Sequence, residues 1–133
     1  MSSPGVLFQS RTVWKGAEMN RRRLSKSERQ KIYDKYNGHC AYCGCELGYK
    51  DMQVDHVIPL RRGGDDDIEN MLPACRSCNH YKGTLTAEEF REYVSKIPVR
   101  LQRDSIPYQV GVRFGIIRSS RDVMFYYERS DGE

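Results

Sequence analysis

The spacing of apolar residues changes character several times along the chain. Residues 1–20 mix Ser, Gly, Gln and isolated apolar positions without a period, which predicts an irregular arm, pinned if at all by Val13 and Trp14. Leu24, Ile32, Tyr33 and Tyr36 then fall on one helical stripe. Ser25 and Glu28 have capping-box spacing and Gly38 suits the position past a helix end, so a helix is predicted over about 26–37. Residues 39–80 read as turns and short strands: Gly44 and Gly48 punctuate, 52–58 is a β-segment before Pro59, and Gly63-Gly64 with Asp65, Asp66 and Asp67 is a loop. A short helix is expected after Cys75, through Asn79 and Lys82 to Gly83. Thr86 and Glu89 repeat the capping box, and Phe90, Tyr93, Val94 and Ile97 mark a helix ending before Pro98. Beyond that the period drops to two. Val110, Val112, Phe114 and Ile116, then Val123, Phe125 and Tyr127, flank a turn at 119–122 and predict a β-hairpin that packs on the core or on a second copy of the chain.

These elements give an α+β chain with three parts: a basic arm over 1–24, a domain over 25–98, and a C-terminal hairpin extension over 99–133. At 133 residues, one domain with short flanks is the expectation. Only 38% of residues are hydrophobic and 30% are charged, so the core is modest and a staple is expected. No run approaches the length of a membrane helix and residues 1–10 lack the apolar stretch of a secretion signal, which points to an intracellular protein of a bacterium or a phage-infected host. The net charge of +4 is unevenly placed: residues 1–38 hold nine Lys/Arg against three acids, residues 39–98 seven against ten. Arg21, Arg22 and Arg23, followed by Lys26, Arg29, Lys31 and Lys35, suit phosphate neutralisation, and equally a solvated helix face.

Five cysteines in a reducing compartment argue against disulfides. Cys40-Ala-Tyr-Cys43 and Cys75-Arg-Ser-Cys78 are two metal-type knuckles, and four thiolates fill the tetrahedron of a structural Zn2+. Cys45 follows Cys43 too closely to pair with it and is spare; His39, beside Cys40, is a weaker ligand. Redox use of the knuckles is disfavoured because no βαβ pattern surrounds them.

Between the knuckles stand Val54-Asp55-His56-Val57-Ile58-Pro59, Gly63-Gly64 and Asp67-Ile68-Glu69-Asn70, and the second knuckle runs on into Asn79-His80-Tyr81-Lys82-Gly83. Over roughly residues 38–83 this order of motifs resembles the HNH endonuclease family, whose ββα-metal site uses an Asp-His pair, a middle Asn and a His or Asn after the second knuckle. Phosphodiester hydrolysis needs a deprotonated water and a cation beside the phosphate, and an imidazole, with an ordinary pKa near 6.5, is the natural base, so His56 takes that role. The resemblance implies that Asp55 and Asn79 hold a catalytic Mg2+ or Mn2+ and that Asn70 holds the hairpin and orients His56. His80 stays open as an alternative to Asn79. Lys82, with Arg21, Arg22 and Arg23, is expected to contact nucleic acid. Because neighbouring strand residues face opposite ways, a twist or bulge is expected to reconcile Asp55 with His56. The partner implied is double-stranded DNA, nicked or cut through; a homodimer or a larger phage or restriction assembly is left open. The alternative is a non-catalytic zinc module that binds nucleic acid or protein.

Overall fold

A computed structural model describes residues 23–118 and 122–132. The expected capping box is present: the Ser25 hydroxyl accepts from Glu28 N at 3.1 Å, and Ser25 N donates to the Glu28 carboxylate at 3.0 Å. It starts helix α1, Lys26–Asp34, which buries Ile32 completely. Gly38 then turns the chain at φ +80°, where a Cβ would stand 2.8 Å from the Tyr33 hydroxyl. Two cations of the basic stripe are committed to the frame. Arg29 donates to the carbonyls of Tyr49 and Met52, and Lys35 to those of Ile68 and Met71.

The only sheet among the described residues is two-stranded and antiparallel: β1, Gln53–His56, pairs with β2, Met71–Ala74, in the register Gln53 to Ala74 and His56 to Met71. Pro73 is tolerated because a two-stranded sheet is all edge, and its carbonyl accepts from Ala41 N at 2.8 Å, joining the first knuckle to the sheet. Helix α2, Arg76–Lys82, starts on Cys75, whose sulfur accepts from Cys78 N, and stops at Gly83. Helix α3, Ala87–Ser95, opens with the Thr86–Glu89 capping box and buries Ala87 and Phe90. Helices and one small sheet thus form an α+β fold around a core of Ile32, Tyr42, Met52, Met71, Leu72 and Phe90.

The predicted hairpin is absent among the described residues. Helix α4, Ile97–Asp104, is followed by α5, Ile106–Arg113, which takes in Val110 and Val112 of the expected first strand, while Phe114 and Ile116 lie beyond its end. Pro98 and Pro107 sit in the first turns of these helices, where a missing N–H costs nothing, and the Ser105 hydroxyl caps α5 through Tyr108 N. These start signals override a four-residue alternation that nothing rewards, since Phe114 and Ile116 are 76% and 80% exposed. Most of the expected turn, residues 119–121, lies outside the described residues. The second half has no regular secondary structure over 122–125 and enters helix α6, Tyr126–Gly132. It packs on the core, although not as a strand. Phe125 is buried against Tyr42 and Phe90, Tyr126 N and Tyr127 N donate to the carbonyls of Tyr42 and Ala41, and Arg91 forks onto Glu128.

Candidate active site and metal centre

The first knuckle is a tight turn. Cys40 N donates to Cys45 O at 2.8 Å and Gly44 N to Cys40 O at 3.0 Å, with Gly44 at φ +83° under the Tyr126 ring. The second knuckle is the cap and first turn of α2. The sheet and the Ala41–Pro73 bond bring the two together, so that the sulfurs of Cys40, Cys43, Cys75 and Cys78 all lie within 4.8 Å of one another. Cys43 Sγ and Cys75 Sγ are 3.8 Å apart. A tetrahedron with 2.3 Å Zn–S bonds has an edge of about 3.8 Å, so the donor set and its spacing fit zinc. Without a cation the sulfurs must share protons. The Cys78 thiol hydrogen-bonds to Cys40 and holds the Cys40 thiol down to about 4, while the same bond, with burial, pushes Cys78 far up. Cys45 is exposed and falls outside the cluster, and its thiol is pushed up to about 12, chiefly by desolvation.

On the other side of β1 a cleft of about 1010 Å³ opens, and Asp55, His56, Asn79 and His80 all line it. Asp55 is buried. It accepts from the Tyr42 hydroxyl at 2.6 Å and from the Lys82 ammonium at 3.2 Å. Burial raises the Asp55 carboxyl above the usual aspartate value, with Tyr42 and Lys82 opposing it; the same burial, with the Asp55 charge, pushes the Tyr42 phenol well above its usual range. A carboxylate has about four lone-pair sites, so Asp55 retains acceptors beyond those two bonds. With the amide oxygen of Asn79 it offers hard oxygen donors of the kind that suit Mg2+ or Mn2+.

Lys82 departs from expectation. It is 1% exposed, and its ammonium also donates to the His56 carbonyl at 2.9 Å, so it faces inward and is not placed to meet a phosphate. The reason is electrostatic: a buried carboxylate needs a counter-charge, and the last turn of α2 brings this one under β1. The exposed cation on the cleft is instead Arg61, carried by the 3-10 turn Leu60–Arg62. Arg23 is exposed and is not among the residues lining the cleft; Arg21 and Arg22 lie outside the described residues.

No bulge reconciles Asp55 with His56. The register is one-to-one through both, and they reach different partners: Asp55 meets Tyr42 and Lys82, whereas His56 Nε2 lies 3.0 Å from Asp66 Oδ1. Both line the cleft, as do Gln53 and Val54 of the same strand. Asn70 bonds only to backbone: its Oδ1 accepts from Ile58 N, and its Nδ2 donates to the carbonyls of Ile58 and Asp65. It ties Ile58 to Asp65 and makes no bond to the imidazole. Sequence reasoning missed Tyr42, Asp66 and Arg61. Tyr42 lies hidden inside the first knuckle, and Asp66 is one of three consecutive aspartates that only the folded loop distinguishes.

Part of the chain is similar to known proteins. The family model described as HNH endonuclease matches residues 40–85. The CRISPR-associated endonuclease Cas9 of Corynebacterium diphtheriae is 32% identical over 56 residues, covering 41% of this chain and 5% of that protein. The Bacillus subtilis protein named "SPbeta prophage-derived putative HNH endonuclease YoqL" is 33% identical over 69 residues, covering 46% of this chain and 30% of that one. The chain therefore spans only a small part of these curated relatives. A crystal structure of the type II-C Cas9 enzyme from Actinomyces naeslundii aligns with 82% of this chain and 15% of its own, at 19% identity and a TM-score of 0.47. Residues 40–85, which hold both cysteine knuckles together with Asp55, His56, Asn70 and Asn79, match the HNH endonuclease family.

Proposed function

We propose that the chain is a metal-dependent endonuclease that hydrolyses DNA phosphodiester bonds. The observation that carries this reading is the convergence of Asp55, His56 and Asn79 on one open cleft, built from the segment that matches the nuclease family. Asp55 and Asn79 would hold one Mg2+ or Mn2+, which supplies positive charge to the phosphate as its own charge develops. His56 takes the proton of the attacking water. The water oxygen bonds to phosphorus, the opposite P–O ester bond breaks, and the leaving oxygen takes a proton from solvent. The imidazolium then returns its proton to solvent. Arg61 offers a cation to the flanking backbone. Cys40, Cys43, Cys75 and Cys78 would hold a zinc ion that ties the two knuckles together.

One observation favours the second reading, a non-catalytic zinc module: Asp55 already carries a counter-ion in Lys82. A nicking assay separates the two. Supercoiled plasmid with Mg2+ or Mn2+ is expected to be cut by the wild type and about 100- to 10,000-fold more slowly by His56→Ala. Absence of metal-dependent nicking, or equal rates, rejects the proposal.

A further inference from the structure

The loop between the strands holds a carboxylate to which no role has been assigned. That loop is tightly fastened: a Cβ on Gly64 would stand 1.8 Å from the Ile58 carbonyl oxygen, and Asn70 ties Ile58 to Asp65 through their backbones. The residue after Asp65 is therefore delivered to one place. There Asp66 Oδ1 sits 3.0 Å from Nε2 of His56, whose side chain is 6% exposed against 20% for Asp66. Asp65 and Asp67, on either side, are exposed. An ionised carboxylate only accepts hydrogen bonds, so Nε2 is the donor in this pair. A neutral imidazole carries a single N–H, which leaves its lone pair on Nδ1.

We infer that Asp66 is a positioning residue of the hydrolytic site: it fixes the tautomer and ring orientation of His56, so that Nδ1 is the atom that takes the proton from water. This rests on the nuclease reading. Catalytic histidines elsewhere are held in the working tautomer by a carboxylate in the same way. The geometry also gives Asn70 its route to the base: it acts on His56 through the backbone at Asp65 and the side chain of Asp66.

The test uses the full chain with its zinc and has two arms. In 15N-labelled protein without added Mg2+ or Mn2+, His56, assigned by difference with His56→Gln, is expected as the Nε2–H tautomer in the wild type and as a mixture in Asp66→Ala. In the nicking assay Asp66→Ala is expected to lower kcat about 10- to 100-fold with KM unchanged. Asp66→Asn, which keeps an acceptor oxygen, should recover both the tautomer and much of the rate. An unchanged tautomer in Asp66→Ala overturns the inference whatever the rate does, as does a wild-type kcat in that variant. If the wild type cuts no DNA, the nuclease reading fails on its own, and the tautomer comparison still decides whether Asp66 holds the ring.

Discussion

Two clusters of metal-type ligands share this small frame, and they handle their charge in opposite ways. The four sulfurs are crowded within 4.8 Å and settle their protons among themselves, with Cys40 held down and Cys78 pushed up. The Asp55 cleft has its own cation, since the Lys82 ammonium reaches the carboxylate and the Tyr42 hydroxyl adds a second donor. A soft cluster gathered in this way is incomplete until an ion arrives. The Asp55 site is neutralised by the chain and can fold without an added ion. On the nuclease reading proposed above, their difference is a division between holding the fold and performing chemistry.

The largest expected effect strikes the sulfur side. Each chain should hold one zinc, and chelation or Cys75→Ser should remove it along with cooperative melting of residues 39–98, because metal binding in such domains supplies about 10 kcal/mol of folding free energy. Unchanged zinc content and melting in Cys75→Ser would break the comparison at its root. On the cleft side, Lys82→Met strands a buried carboxylate and should lower stability by about 3 kcal/mol, read from denaturant midpoints, while zinc content stays at one per chain. Added Mg2+ or Mn2+ should restore part of that loss by binding the native state. A Lys82→Met protein as stable as the wild type would show that Asp55 never depended on its internal counter-ion.

The smallest effect concerns the tail that braces the first knuckle. Arg91 holds the Glu128 carboxyl below the ordinary value of 4.5. The stability it lends is then fully present above that value and is lost as pH falls through the lower folded one. Because Glu128 is 35% exposed, solvent screening limits the loss to about 0.5 kcal/mol. Faster amide exchange at Tyr126 and Tyr127, whose N–H groups dock on Tyr42 and Ala41, should report it. Glu128→Gln should exchange at the faster rate at every pH. Persistence of the acid step in that variant would move its origin to the zinc ligands.

The elements that could be read from the sequence are those whose signals are local. Both capping boxes formed, Gly83 ended its helix, and the two knuckles came together, whereas the first helix stopped at Asp34, three residues short of the end expected from Gly38, which instead takes a later turn. The hairpin failed because alternation over four residues fits a strand only when a partner strand is present. Proline in a first helical turn and a serine cap weighed more. The basic stripe was half misread for a related reason: charge pattern does not show which cations will be drawn inward by carbonyls, as Arg29 and Lys35 are.

The sequence alone determined the inventory of candidate site residues: two cysteine pairs, an Asp-His pair and two asparagines. Only the tertiary structure decided which charges neutralise which. Lys82 was turned from a phosphate contact into a counter-ion by the burial of Asp55, and one aspartate of three became the partner of His56 because Gly64 and Asn70 leave its loop a single path. Spacing along a chain is covalent and can be read directly. The cost of burying a charge depends on everything packed around it, and that exists only once the chain has folded.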